Sequence, residues 1–144
     1  MKNGFAFWDS SALAPLCIHE VTSRRAQSHL RQFGLAVWWG SLVEVRSAIC
    51  RSLRESRISE ASKQAALSRL LALSRVWKEV APDDELRELA MALLEEYSLR
   101  AGDSLQLAAS LIWCQRRPSK RIFICTDLKL SDVAAKVGFS VVGF

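Results

Sequence analysis

The sequence predicts a three-layer α/β/α sandwich on a five-stranded, mainly parallel sheet. Two observations point there: five short apolar runs are spread along the chain, and amphipathic helical patterns fill the intervals between them. A third is size, because 144 residues with 50% apolar content and three prolines suit one compact domain over residues 1–144 with a layered core.

The runs read as strands are "FAFW" (5–8), "LAVWW" (35–39), "VWKEV" (76–80), "IFIC" (122–125) and "SVVGF" (140–144). A short helix follows the first, and Pro15 is expected to interrupt it. Trp38 and Trp39, adjacent in a strand, point to opposite faces, which predicts core packing on both sides. Two helices, 42–56 and 59–75, then follow one another without a strand. Leu86, Leu89, Ala90, Leu93, Leu94 and Tyr97 lay one apolar stripe on a helix opened by Asp83 and Asp84. From Ser104 to Gln115 the apolar residues spread over most of the circumference, so that helix should lie between layers. "LSDVAAKVG" ends in Gly138, a C-terminal cap.

No run approaches the roughly 18 apolar residues of a membrane helix, and Asp9 breaks "FAFW" before a signal-peptide core could form, so a cytoplasmic protein without membrane contact is expected. Cys17, Cys50, Cys114 and Cys125 form no C-x-x-C pair and read as buried free thiols, with His19 and His29 as surface residues. A net charge of +5 and a pI near 9.3 favour a polyanionic partner without choosing one.

In a parallel sandwich the carboxyl ends of strands and the amino ends of neighbouring helices share one edge, where open α/β sheets bind ligands. Four acids fall there: Asp9 after the first strand, Glu44 in the first turn after the second, Asp103 at the start of the sandwiched helix, and Asp127 after the fourth strand. Each has a local explanation. Asp9 and Asp127 can cap helices, and Ser41 with Glu44, or Asp103 with Gln106, fits a capping box. Together they imply more. Four carboxylates about 6 Å apart at an effective dielectric near 20 repel by roughly 3 kcal/mol per pair, whereas helix N-termini recover only about 1 kcal/mol each. A divalent cation is the economical counter-charge, and all-oxygen ligation favours Mg²⁺ or Mn²⁺ over zinc.

"FWDSSALAPLCIHE", "SLVEVRSAICR", "LRAGDSLQLAAS" and "FICTDLKLSDVAAKVGFSVV" resemble, in order and over nearly the whole chain, the PIN-domain ribonucleases, specifically the VapC toxins of bacterial toxin–antitoxin pairs. The resemblance implies a PIN-like sandwich and Mg²⁺- or Mn²⁺-dependent endonucleolytic cleavage of RNA, with one or two metal ions activating water for in-line attack. Asp9, Glu44, Asp103 and Asp127 match the family's metal-binding acids, and Ser10 and Thr126 match hydroxyl positions that support the site. It also implies a homodimer and a cognate antitoxin. Gln106 departs from the pattern, standing where relatives commonly have His, and Pro15 is a second departure.

Arg46, two residues after Glu44, is a candidate phosphate contact. Other basic clusters are Arg24, Arg25 and Arg31; Arg51, Arg54 and Arg57; and Arg116, Arg117, Lys120 and Arg121. Two further readings stand beside the nuclease. One is a PIN-like module that binds RNA or protein without cutting; the other is a phosphate-handling receiver or phosphotransferase, whose paired acids or D-x-D-x-T motif "WDSSAL" lacks.

Overall fold

The computed structural model describes residues 2–144. Strands β1 (Phe5–Trp8), β2 (Gly34–Trp38), β3 (Lys78–Val80), β4 (Ile122–Cys125) and β5 (Ser140–Gly143) form one sheet in the order β3-β2-β1-β4-β5, with every neighbouring pair parallel. Helices α1 (Ser10–Cys17) and α2 (Ser23–Gln32) link β1 to β2, and α3 (Ser41–Arg54) and α4 (Glu60–Ser74) link β2 to β3. Helices α5 (Asp84–Glu96) and α6 (Ala101–Trp113) lead to β4, and α7 (Leu128–Val137) leads to β5. This is the PIN-like α/β/α sandwich that the sequence predicts.

The strands are apolar throughout because both faces of the sheet are covered. Ala6 and Trp8 of β1 pack with Leu13, Val45, Ile49 and Leu70 of the α1–α4 layer, while Phe7 packs with Leu86, Leu107 and Leu130 of the α5–α7 layer. Phe7 stacks on Phe123 at 5.6 Å between ring centroids, and Phe139 meets Phe123 at 5.5 Å, so one aromatic row ties β1 and β4 to the end of α7. Asp83 caps α5 by accepting from Leu86 N at 2.8 Å, and that helix lays Leu86, Ala90 and Leu93 on α6. Helix α6 is buried from Gln106 to Leu111, as its unbroken apolar circumference requires.

Several boundaries differ from the sequence reading, each for a physical reason. Helix α2 lies outside the elements read from the sequence: in "SRRAQSHLRQ" only Ala26 is fully buried, with Leu30 half-buried against the same core, so its apolar stripe is two residues in a strongly polar segment. Strand β2 stops at Trp38, and Trp39 is 52% exposed instead of packed in the core. Strand β3 begins at Lys78, because the N–H groups of Val76 and Trp77 donate to Leu73 O in the turn that ends α4. Helix α6 starts three residues earlier than expected, at Ala101, and ends at Trp113. Nor does Pro15 interrupt α1, which runs on to Cys17. Proline lacks the N–H that would bond Ser11 O, and Thr126 Oγ1 donates to that carbonyl instead, at 3.3 Å. All four cysteines are free, with Cys50 half-buried and the others buried. No helix among the described residues is long and apolar enough to cross a membrane.

Gly138 ends α7 at φ +123°, and a Cβ there would lie 3.1 Å from Pro118 Cγ. Gly138→Ala is expected to cost about 1–2 kcal/mol, read as a lower urea midpoint with an unchanged slope.

Candidate active site

The chain winds outward from β1 through β2 to β3, then returns to add β4 on the other side of β1. Strand order therefore reverses between β1 and β4, and the connections leave a crevice at their carboxyl ends. Asp9 and Asp127 follow those two strands directly.

Asp9 is both a helix cap and a wall of the crevice. Its Oδ2 accepts from the backbone N–H of Ser11 at 3.1 Å, from the Ser11 hydroxyl, and from Cys125 Sγ at 3.6 Å. The Ser11 hydroxyl in turn accepts from Thr126 N at 3.0 Å, so one serine fastens the start of α1 to the end of β4. Asp127 likewise caps α7 through Leu130 N at 2.9 Å while facing the same crevice.

Glu44 is held from two sides, accepting from Ser10 Oγ at 2.7 Å and from Gln106 Nε2 at 3.2 Å. Gln106 also donates to Ser41 Oγ at 3.2 Å, and its own Oε1 is buried without a partner among the described residues. These bonds overturn both capping-box readings. The N-cap of α3 is Gly40 and that of α6 is Arg100, neither with a side-chain cap, and Asp103 sits in the first turn of α6.

All four predicted acids line one cleft of about 630 Å³, together with Ser10, Ser11, Thr126, Arg51 and Arg57. Ser10 donates to Glu44, and Thr126 bonds to Ser11 through both its N–H and its hydroxyl. Arg46 is exposed and does not line the cleft; two residues along a helix turn it about 200° from Glu44. Arg51, seven residues on, returns to the face of Glu44. Ser11, Glu20, Arg51 and Arg57 are contributors that sequence reasoning missed, and helical spacing from Glu44 is the available signal for Arg51.

The cleft is electrostatically strained. Burial pushes the carboxyl of Asp9 above its ordinary range despite the Ser11 bonds, and the charge of Asp103 adds to the rise. Burial raises Glu44 as well, opposed by its bond from Ser10 and reinforced by Asp9 and Asp103. Asp103 is raised by burial and by Asp127, with Arg100 and Lys129 pulling the other way. Burial takes the Cys125 thiol to about 12, so it acts here as a neutral donor.

In kind, this donor set fits a hard divalent cation: every candidate ligand is a carboxylate oxygen. Asp9 Oδ1, Asp127 Oδ2 and both oxygens of Asp103 accept no hydrogen bond among the described residues. In this conformation, however, no three His, Cys, Asp or Glu side chains among those residues stand close enough to hold one ion. An ion held by three of these acids at once requires side-chain rotation, for which the unbonded Asp103 is free, whereas one or two carboxylates with water suffice for Mg²⁺.

The sheet and its acid crevice define an α/β/α sandwich of the PIN type. Solved structures with the same fold include PAE2754 from Pyrobaculum aerophilum, with TM-score 0.64 and 18% identity over 96% of this chain and 88% of that one. A toxin–antitoxin complex from Klebsiella pneumoniae gives TM-score 0.62 and 19% identity, covering 95% of both chains. VapBC2 from Rickettsia felis, bound to a DNA fragment from its promoter, gives 0.63 and 11%, covering 97% and 98%. The likeness to VapC toxins suggested by the motifs is thus met in three dimensions, and at these identities it establishes the fold. No protein-family model and no curated protein matches the chain by sequence.

Two expectations follow. Ser11→Ala removes no acid but strands the Thr126 N–H, so it should cost about 1–3 kcal/mol in chemical denaturation. The raised carboxyls bind protons more tightly folded than unfolded, so in chelator their ionisation opposes folding. That penalty is absent below the unfolded values, about 4, and grows as pH rises through the folded ones. Asp9→Asn, which retains a capping oxygen, should then raise the metal-free melting temperature at pH 7 by a few degrees, about 3 °C per kcal/mol, and do less at pH 4.

Proposed function

We propose that the chain is an endoribonuclease dependent on Mg²⁺ or Mn²⁺, a VapC-like toxin held in check by a cognate antitoxin. The observation that carries this reading is the gathering of Asp9, Glu44, Asp103 and Asp127, three of them with raised proton affinity, in one cleft at the reversal of strand order, with Glu20 a fifth carboxylate in its lining. Such a charge needs a cation, and its place on the sheet suits a ligand. Asp9, Asp103 and Asp127 would hold the metal through their unbonded oxygens, with Glu44 as the fourth acid. Bound there, the ion would supply Lewis acidity at a phosphodiester and a nucleophilic water at neutral pH.

The chain's own side chains prepare this site. Ser11 fixes the Asp9 carboxylate through Oδ2 and leaves Oδ1 free. Ser10 and Gln106 hold Glu44 in one rotamer from opposite sides, which limits the rearrangement needed on loading. Arg51 and Arg57, on the rim, are placed to take phosphates flanking the scissile one. The antitoxin assignment draws on the Klebsiella and Rickettsia neighbours, whose structures are toxin–antitoxin assemblies. A homodimer accords with exposed apolar side chains at the start of α3, where Trp39 is 52%, Leu42 39% and Val43 67% accessible.

A second reading, a PIN-like module that binds RNA or protein without cutting, draws on the fact that no three acids are yet within joint reach of one ion. Incubating total RNA with purified protein in Mg²⁺, Mn²⁺ or EDTA separates the two. Discrete cuts are expected with either metal and none in EDTA, with rates about 100-fold or more lower in Asp9→Asn. Folded wild type that leaves every RNA intact favours the binding module.

A further inference from the structure

The cleft does not stop at its acids. Arg57 on its rim also lines a second cavity, of about 410 Å³, between the end of α1 and the turn from α3 to α4. Cys17, Ile18, His19 and Arg69 carry that cavity into a third, of about 430 Å³, against α2. The sign of the lining reverses along this path. No carboxylate lines either outer cavity, whereas Arg57, Arg69, Arg24 and Arg31 do.

These guanidinium groups are available. Among the described residues Arg24, Arg31 and Arg69 form no ion pair, and the Arg57–Glu55 pair is more than half exposed on both sides and worth roughly 0–1 kcal/mol. Arg69 is anchored by donation from Nη1 to Cys17 O at 2.9 Å, which fixes its planar fork in the wall. Arg24 and Arg31, seven residues apart on α2, share one face about 10 Å apart along its axis.

We propose that these four arginines form a phosphate track along which single-stranded RNA leaves the acid cleft, passing Arg57, then Arg69, then Arg24 and Arg31. Cavities of some 400 Å³ admit one strand, and a guanidinium fork matches a phosphate oxygen pair. An acidic peptide on the same path would bring carboxylates against the five that line the cleft at its inner end. An RNA strand brings there a phosphodiester, which a cation can bridge to the acids. The track rests on the RNA-cutting reading only for the purpose of its inner end; strand binding does not require cleavage.

The test measures affinity of a fluorescent twelve-nucleotide single-stranded RNA in EDTA across a salt series. It compares the full-length wild type, Arg24→Gln with Arg31→Gln, and a charge-matched control, Arg75→Gln with Arg87→Gln, all checked for folding by circular dichroism. The α2 pair is expected to bind about tenfold more weakly, with a slope of log K on log salt shallower by about 1.4, because each lost single-strand phosphate contact removes about 0.7. The control should keep the wild-type slope. Equal slopes in the two double variants would overturn the track, as would a polyglutamate probe that binds with the same dependence on Arg24 and Arg31. In Mg²⁺, the α2 pair should raise KM for RNA and leave kcat unchanged. If wild type binds as expected and cuts nothing, the nuclease reading falls and the track stands; metal-dependent cutting with a KM indifferent to Arg24 and Arg31 does the reverse.

Discussion

The carboxylate of Asp9 is buried at the one place where the sheet reverses its strand order, and much of the surrounding chain is arranged around that charge. A buried anion is costly unless hydrogen bonds or a counter-ion offset it. Ser11 supplies two bonds, Cys125 a weak third, and the rest of the demand is left open toward Asp103 and Asp127. One residue thus serves two levels of structure: it starts α1, and it fixes the negative pole of the cleft. Ser11 couples them, since the hydroxyl that steadies Asp9 also receives the Thr126 N–H and closes the gap between the first and fourth strands.

The cleft is also the seam between the two helical layers. Helices α1 and α3 lie on one face of the sheet and α6 on the other, so their side chains meet only around its edge. Gln106 makes that crossing, reaching from α6 to Ser41 and Glu44 on α3. The cost of its unpartnered oxygen is offset by its two donor contacts, one to Ser41 Oγ and one that holds Glu44 from the side opposite Ser10.

What could be read from the sequence and what could not divides along physical lines. Strand cores such as "FAFW" and "IFIC" were legible because burial on both faces forces continuous apolar runs, and Asp9 and Asp127 were legible because they end those runs. Glu44 and Asp103 were placed correctly, but their local partners were not. A capping box is a statement about neighbours in sequence, whereas Glu44 is held by residues 34 and 62 positions away. Helix α2 was hard to read because its stripe is sparse: Ala26 and Leu30, with Phe33 just past its end, share one face of an otherwise polar segment. Arg46 was chosen by closeness along the chain, where angular position on α3 selects Arg51.

Strand β3 constrains assembly at one margin of the sheet. It is a three-residue edge, its exposed Lys78 and Glu79 present charge to any approaching backbone, and Pro82 follows it almost at once. Short, charged, proline-bounded edges resist lateral pairing. Growth of the sheet into a second molecule is thereby discouraged at that margin, so a partner meeting this end of the molecule must do so through side chains and not by continuing the β-ladder.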